Sequence, residues 1–375
     1  MEFRYEANQS PASESRRAEI LANPGFGQYF SDHMVTIDWT ADLPGQEAAF
    51  QAGEYLKMVG EWSNARVEPY APLSLSPAAA VLHYAQEIFE GLKAYRHDDG
   101  SIWTFRPHRN AARMNRSAHR MAMPQLPEEV FVKAIEELVG HDHAWVPHGQ
   151  GQSLYLRPFT IATEEFLGVR PARNFSFHVI ASPAGNYFGG ELKPVSIWVS
   201  RDFARAGEGG TGAAKFGGNY AASLAAQLQG ASRGHDQVIF LDRSPDESLE
   251  ELGGMNVFFV TKDNKLITPK LTGTILEGIT RDSILQLGAE QGLDVEERRI
   301  TFNEWKDGVA SGDVQEVFAC GTAAVITPIG QVADREEVHT TPSTDFPVAN
   351  ALRDRLIGIQ TGVEEDTHGW MHRLA

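Results

Sequence analysis

The chain has 375 residues, with 33 lysines and arginines against 50 aspartates and glutamates, and a formal net charge of -17 at pH 7. So much negative charge argues against broad nucleic-acid binding and against docking on anionic lipid, yet leaves room for a local basic pocket that takes a small acidic substrate. The hydrophobic and charged fractions, 42% and 22%, are those of a globular protein long enough for two ordinary domains. A single cysteine, Cys320, excludes an intrachain disulfide and argues against a cysteine-based zinc site.

The opening "MEFRYEANQSPASESRRAEI" lacks the apolar core of a secretory signal, and no apolar run is long enough to span a bilayer. A cytoplasmic protein without a membrane partner is expected. Residues 1 to about 60 read as polar, with a surface insertion around "TADLPGQEAAFQAGEY". From Val67 the pattern sharpens. "AAAVLHYAQEIFEGLKAYR" reads as apolar strand-like runs broken by a turn at Glu90–Gly91, and "SIWTFR" as a strand. "PHRNAARMNRSAHRMAM" reads as a helix with Pro107 in its first turn, and "PEEVFVKAIEELVGHDHAWV" as an amphipathic helix. "SLYLRPFTIAT" and "FSFHVIASP" have the β-branched and aromatic content of strands.

"PAGNYFGGELKP", rich in glycine and proline, reads as a linker over 183–194 between a domain at 1–182 and another at 195–375. Beyond it come strands at "VSIWVSR", "QVIFLD" and "MNVFFVT", helices at "TRDSILQLGAEQG" and "FNEWKDGV", a strand at "EVFACGTAAVITPI" and a closing helix at "PVANALRDRLIGIQ". Strands mixed with helices on both sides of one linker predict two α/β domains, with a ligand held between them.

Among the lysines only Lys93 and Lys215 have small or apolar neighbours on both sides, the surroundings that make an amine nucleophilic. A purely structural lysine is the plainer alternative for either. "GGTGAAKFGGNYAASLAAQ" is not a Walker loop, because Phe216 follows Lys215 and the helix begins later, and no dinucleotide fingerprint follows an early strand. Three places suit a phosphate. Arg109, Arg113, Arg116 and Arg120 share related faces of one helix, although a solvated basic face explains most of them. Gly278 opens "LEGITRDSIL" into a helix start, and "CGTAA" is a nest with a hydroxyl. Glu250 and Glu251 precede a double glycine, so one could face a pocket and the other water; an exposed acidic turn is the alternative. His141 and His143 have no partner cluster and read as surface residues, so no metal site is expected.

In order along the chain, "HYAQEIFEGLKAYR", "FRPHRNAARM", "LYLRPF", "PAGNYF", "KFGGNYAAS", "EELGGMNVFFV", "LEGITRDSIL" and "CGTAAVITPI" resemble the branched-chain amino-acid aminotransferases, pyridoxal-phosphate enzymes of fold type IV. The resemblance runs from "PGFGQYFSDHM" to "DTHGWM". It implies an α/β fold of the α+β type: two mixed domains with pyridoxal 5'-phosphate between them. Lys215 would be the Schiff-base lysine that carries the proton shift, and Glu251 would face the pyridine nitrogen. Tyr220 would meet the ring's phenolic oxygen. Arg113, Ile279, Thr280 and Thr322 would take the phosphate.

The same resemblance implies that Phe30, Tyr84, Phe89, Tyr155 and Tyr187 line an apolar slot for leucine, isoleucine or valine. Arg157 would reach the second carboxylate of glutamate. Gly254 and Ala323 would offer backbone N–H groups to the α-carboxylate. Leu167 and Val169, in "FLGVRPARN", would close a neighbouring subunit's pocket in a homodimer. The implied reaction exchanges an amino group between branched-chain L-amino acids and 2-oxoglutarate. It is reversible, and either ends branched-chain amino-acid synthesis or begins degradation. A D-amino-acid aminotransferase or an aminodeoxychorismate lyase of the same fold remains open, as does a non-enzymatic anion-binding protein. Ala324 and Thr327 stand where some animal members carry a redox cysteine pair, and the insertion at 41–54 has no family role.

Overall fold

The computed structural model describes residues 1–149, 151–185 and 193–375. The chain forms two units: Met1–Gly189 with Ala214–Gly217 and Gln360–Ala375, and Gly190–Ala213 with Gly218–Ile359.

The first unit opens with β1 (Arg4–Tyr5), α1 (Glu14–Ala22), β2 (His33–Ala41), α2 (Leu43–Gln51) and β3 (Gly60–Pro69). Then come α3 (Ala80–Tyr84), β4 (Glu87–Phe89), β5 (Leu92–Arg96), β6 (Ile102–Phe105), α4 (Pro107–Arg120), α5 (Glu128–His141), β7 (Ser153–Ala162) and β8 (Asn174–Ala184). Segment 1–60, expected to be polar, contains the interior strand β2. Its Val35, Ile37 and Trp39 are 0%, 0% and 3% exposed, while Thr36 and Asp38 alternate to the other face, which hides the strand in a composition average. The presumed insertion is a short helix, α2. Residues 80–84 are likewise helical rather than strand, closing on Ala85 with φ 48°. A brief apolar run does not separate the two by period alone.

Ala111, Met114 and Ala118 of α4 join Phe131, Ile135 and Leu138 of α5 in one apolar cluster with Val35, Phe175, Phe177 and Val179 of the sheet. That leaves Asn110, Arg113 and Ser117, spaced three and four apart, buried on a different face of α4.

The second unit holds β9 (Val195–Ser200), α6 (Gly217–Ser232) but for its first residue, β10 (Gln237–Leu241), β11 (Leu249–Leu252), β12 (Asn256–Thr261), β13 (Lys265–Pro269), α7 (Ile279–Glu290), β14 (Asp294–Arg298), α8 (Phe302–Ser311), β15 (Val314–Gly321), β16 (Val325–Asp334), β17 (Glu337–Thr340) and α9 (Pro347–Thr361) but for its last two residues. Its strands run β11-β10-β9-β16-β15-β12-β13-β14, with β17 on β16. Alternation sends Ile197, Val199 and Ile239 towards Trp305 of α8, and Trp198, Val238 and Phe240 towards Ala226 of α6. "EVFACGTAAVITPI" is a hairpin of β15 and β16 rather than one strand, turning between Gly321 and Val325.

The chain then returns to the first unit. Gln360 accepts a hydrogen bond from Tyr95 Oη at 3.0 Å, and β18 (Met371–Arg373) pairs antiparallel with β6. The first sheet therefore runs β1-β3-β2-β8-β7-β5-β6-β18, with β4 on β7. Residues 360–375, expected in the second domain, belong here, because their main-chain partners lie on β6. Residues 183 and 184 end strand β8 rather than begin a linker.

Candidate active site

Lys215 lies in the four-residue stretch Ala214–Gly217, which belongs to the first unit although the chain on either side belongs to the second. Three hydrogen bonds hold its main chain. Lys215 N donates to Ser117 Oγ at 2.9 Å, Phe89 N donates to Lys215 O at 3.0 Å, and Gly217 N donates to Glu87 Oε1 at 2.6 Å. Lys215 Nζ stands 4.8 Å from the centroid of the Phe89 ring.

Glu90, expected in a turn, is fully buried. Arg113 donates through Nε to its Oε1 and through Nη2 to its Oε2, both at 2.7 Å, and Asn110 Nδ2 adds a bond to Oε2 at 2.8 Å. Burial opposes the charge on Glu90, but the Arg113 guanidinium outweighs it, with help from Lys215, and holds the carboxyl below its usual range. Arg113 is 4% exposed, so the solvated-face explanation fails for it while holding for the exposed Arg109, Arg116 and Arg120.

In the second unit, Glu250 and Glu251 are 6% and 1% exposed on β11, so neither faces water as expected for one of the pair. Both lie in a strand buried on its two sides, where adjacent residues diverge without either reaching solvent. Glu251 ion-pairs with Arg205 at 2.9 Å and accepts from Leu276 N at 3.1 Å. Burial chiefly raises the Glu250 carboxyl above its ordinary range. Tyr220 lies on α6, and a Cβ at Gly254 would come within 3.0 Å of Tyr220 Cε1, so glycine keeps that approach open. Ile279 and Thr280 open α7 after Gly278, which provides no side-chain cap. Thr322 and Ala323 occupy the β15–β16 turn.

Of the expected slot residues, Arg157 donates to Tyr155 Oη at 2.9 Å, and its guanidinium lies 4.8 Å from the Phe89 centroid and 5.3 Å from that of Tyr155. Its Nε is buried without a hydrogen-bond partner among the described residues. Phe30 stacks on Tyr70 at 4.9 Å, and Tyr84 lies 6.2 Å from Phe166. Leu167 and Val169 are 72% and 94% exposed. Tyr187 lies outside the described residues. The rival Lys93 is buried on β5. Among the described residues no group of histidine, cysteine and carboxylate side chains could hold a metal, and no helix is long and apolar enough to cross a membrane.

Sequence reasoning missed Glu87, Ser117, Arg205 and Asn256. Ser117 was legible as the third member of the Asn110–Arg113–Ser117 face; Arg205 and Asn256 had no local signal, because their partners at Glu251 and Leu276 are distant in sequence. The donor set fits pyridoxal phosphate. The first unit offers an amine beside an aromatic ring, and the second, by itself, a buried carboxylate on β11 and helix N–H groups at α7 that no N-cap side chain takes.

The amino-transferase class IV family model matches residues 87–332. The branched-chain-amino-acid aminotransferase of Mycolicibacterium smegmatis is 53% identical over 379 residues, covering 100% of this chain and 98% of the relative. Among solved structures, the branched-chain aminotransferase of Thermoproteus uzoniensis with norvaline aligns with TM-score 0.71 at 26% identity, over 83% of this chain and 97% of that one. The pyridoxal-phosphate form of the Thermobaculum terrenum enzyme aligns with TM-score 0.70 at 27% identity, over 83% and 96%. The fold is thus that of the type IV pyridoxal-phosphate enzymes, and the chain belongs to the class IV aminotransferases. Within that class it is a branched-chain-amino-acid aminotransferase, with pyridoxal phosphate as the family cofactor.

Proposed function

We propose that the enzyme moves the amino group of L-leucine, L-isoleucine or L-valine to 2-oxoglutarate, reversibly, with Lys215 as its Schiff-base lysine, and that it works as a cytoplasmic homodimer. The observation that carries this reading is the fixed main chain of Lys215, with its amine over Phe89 and close enough to buried Glu90 to influence its charge. Pyridoxal phosphate supplies an electron sink for the carbanion left when the substrate's α-proton departs.

The chain's own groups do the rest. Lys215 Nζ would take the substrate's α-proton and carry it through the 1,3-shift. Glu251 would keep the pyridine nitrogen protonated, and Arg205, ion-paired with it, would hold it in place. Tyr220 donates to the phenolic oxygen. Ile279 and Thr280 offer main-chain N–H groups to the phosphate, with the Thr280 and Thr322 hydroxyls beside them. Arg113 adds charge that it shares with Glu90.

Phe30, Tyr84, Phe89, Tyr155 and Tyr187 form the apolar slot. Arg157, whose buried Nε has no described partner, takes the distal carboxylate of glutamate. Gly254 and Ala323 present main-chain N–H groups to the α-carboxylate. The exposure of Leu167 and Val169 supports their burial by a second subunit.

Borohydride reduction of the cofactor-loaded enzyme, followed by peptide mapping, should label Lys215; a label on Lys93 overturns the assignment. Lys215→Ala should abolish both transamination and the visible absorbance of the bound cofactor. Light scattering should give twice the monomer mass.

A further inference from the structure

Neither the family resemblance nor the proposed roles use Glu87, yet it lies at the base of the lysine segment. It starts β4, whose register against β7 pairs Glu87 with Ile161 and Phe89 with Phe159. Residues two apart on a strand share a face, so Glu87 and Phe89 address the same side. Phe89 uses its N–H to hold Lys215 O, and its ring lies under Nζ. Glu87 uses its carboxylate to hold Gly217 N at 2.6 Å.

That N–H is the first of α6, where unsatisfied donors and the positive end of the helix dipole favour a negative group. A Cβ at Gly217 would run into the same carboxylate, so glycine is what lets Glu87 approach the main chain. Burial is the main influence on this carboxyl and raises it above its ordinary range, while the Gly217 N–H and Arg157 pull it back.

We propose that Glu87 is a positioning residue for Lys215: by capping α6 at Gly217 it fixes the main chain two residues downstream of the amine, completing a clamp with Ser117 and Phe89. The proposal rests on the reading of Lys215 as the reactive amine. Ser117 restrains the segment before the amine and Phe89 restrains the carbonyl after it. Without Glu87 the segment can pivot about those two bonds, and Nζ then meets the substrate's α-carbon in fewer productive orientations.

Three variants of the full-length enzyme test it. Glu87→Ala should lower kcat with L-leucine by about 10- to 100-fold while leaving KM nearly unchanged, the signature of a misplaced reacting group. Glu87→Gln keeps an amide oxygen able to accept from Gly217 N and should restore kcat to within a few fold. Gly217→Ala should displace the Glu87 side chain and reproduce the loss, but should add nothing in the Glu87→Ala background, because the two changes remove one contact.

Amide hydrogen exchange of the enzyme without added cofactor gives an independent readout. Exchange at Gly217 should quicken about tenfold in Glu87→Ala and remain slow in Glu87→Gln. Unchanged exchange in Glu87→Ala, or a Glu87→Gln variant as impaired as Glu87→Ala, overturns the proposal. If borohydride labels no lysine at 215 in the wild-type enzyme, the functional reading falls instead, while the exchange result still decides whether Glu87 holds the segment. Should Glu87→Ala fail to fold, Gly217→Ala and Glu87→Gln still carry both measurements.

Discussion

Each unit contains a buried arginine–carboxylate pair, and the two are built differently. In the first, Glu90 and Arg113 meet through two parallel hydrogen bonds at 2.7 Å, with Asn110 bonded to the same carboxylate. In the second, Arg205 meets Glu251 at one point, 2.9 Å away, and spends another bond on Thr274 O at 3.0 Å; its Nη2 has no hydrogen-bond partner among the described residues. A two-point pair surrounded by further donors compensates most of the desolvation of both ions. A one-point pair leaves part of Arg205 uncompensated, while Leu276 N also donates to Glu251 at 3.1 Å and sets its orientation. The first pair is thus suited to fix Arg113 in place, and the second to hold one carboxylate at the service of something else.

Removing one partner from each pair is the strongest way to break that comparison. Arg113→Met should cost about 3–5 kcal/mol, measured from denaturant midpoints, because it strands Glu90 in a dry site. Arg205→Met should cost less, about 2–3 kcal/mol, since part of Arg205 is already unsatisfied; an equal or larger loss would show that the number of contacts does not separate the pairs. Replacing both members together, as Glu90→Leu with Arg113→Met, should bring stability back to within about 1–2 kcal/mol of wild type, since no lone ion remains. Asn110→Ala removes a single bond to a charged acceptor and should cost about 1.5 kcal/mol.

The smallest effect is on pH dependence, where the two units pull in opposite directions. The carboxyl of Glu90 is lowered, so its contribution is full above pH 4.5, the ordinary value, and fades as pH falls through its folded value. The carboxyl of Glu250 is raised, so its contribution is full below pH 4.5 and fades as pH rises through its folded value. Glu90→Gln should flatten the acid limb of the midpoint-versus-pH curve below 4.5, and Glu250→Gln the limb above it.

Much of this was legible in the sequence, but unevenly. Helices α4, α5, α7 and α8 were recognisable from period and punctuation, and so were the strands that face core on both sides. Strand β2 was missed because its alternating polar residues dilute the apolar ones. The run around Gly321–Val325 was read as one strand although its "CGTAA" had the look of a nest, because the apolar residues on both sides of that turn form an unbroken period. The lysine census narrowed the amine to two residues but did not choose between them; the ordered motifs did. Glu90 does lie at the expected break between β4 and β5, but its burial went unread because nothing nearby announces a partner 23 positions away. Charge pairs set by tertiary structure are invisible to a local reading, and each unit is built around one.

The return of residues 360–375 to the first unit has a consequence for how the chain assembles. The exposed edge of β6 receives its last strand only after the whole intervening unit has been synthesised. Tyr95 likewise donates its hydrogen bond to a glutamine 265 residues later. The sheet that carries α4 is therefore completed by residues 371–373, a pairing of high contact order that should form late. During translation that edge stands open until residues 371–373 have left the ribosome.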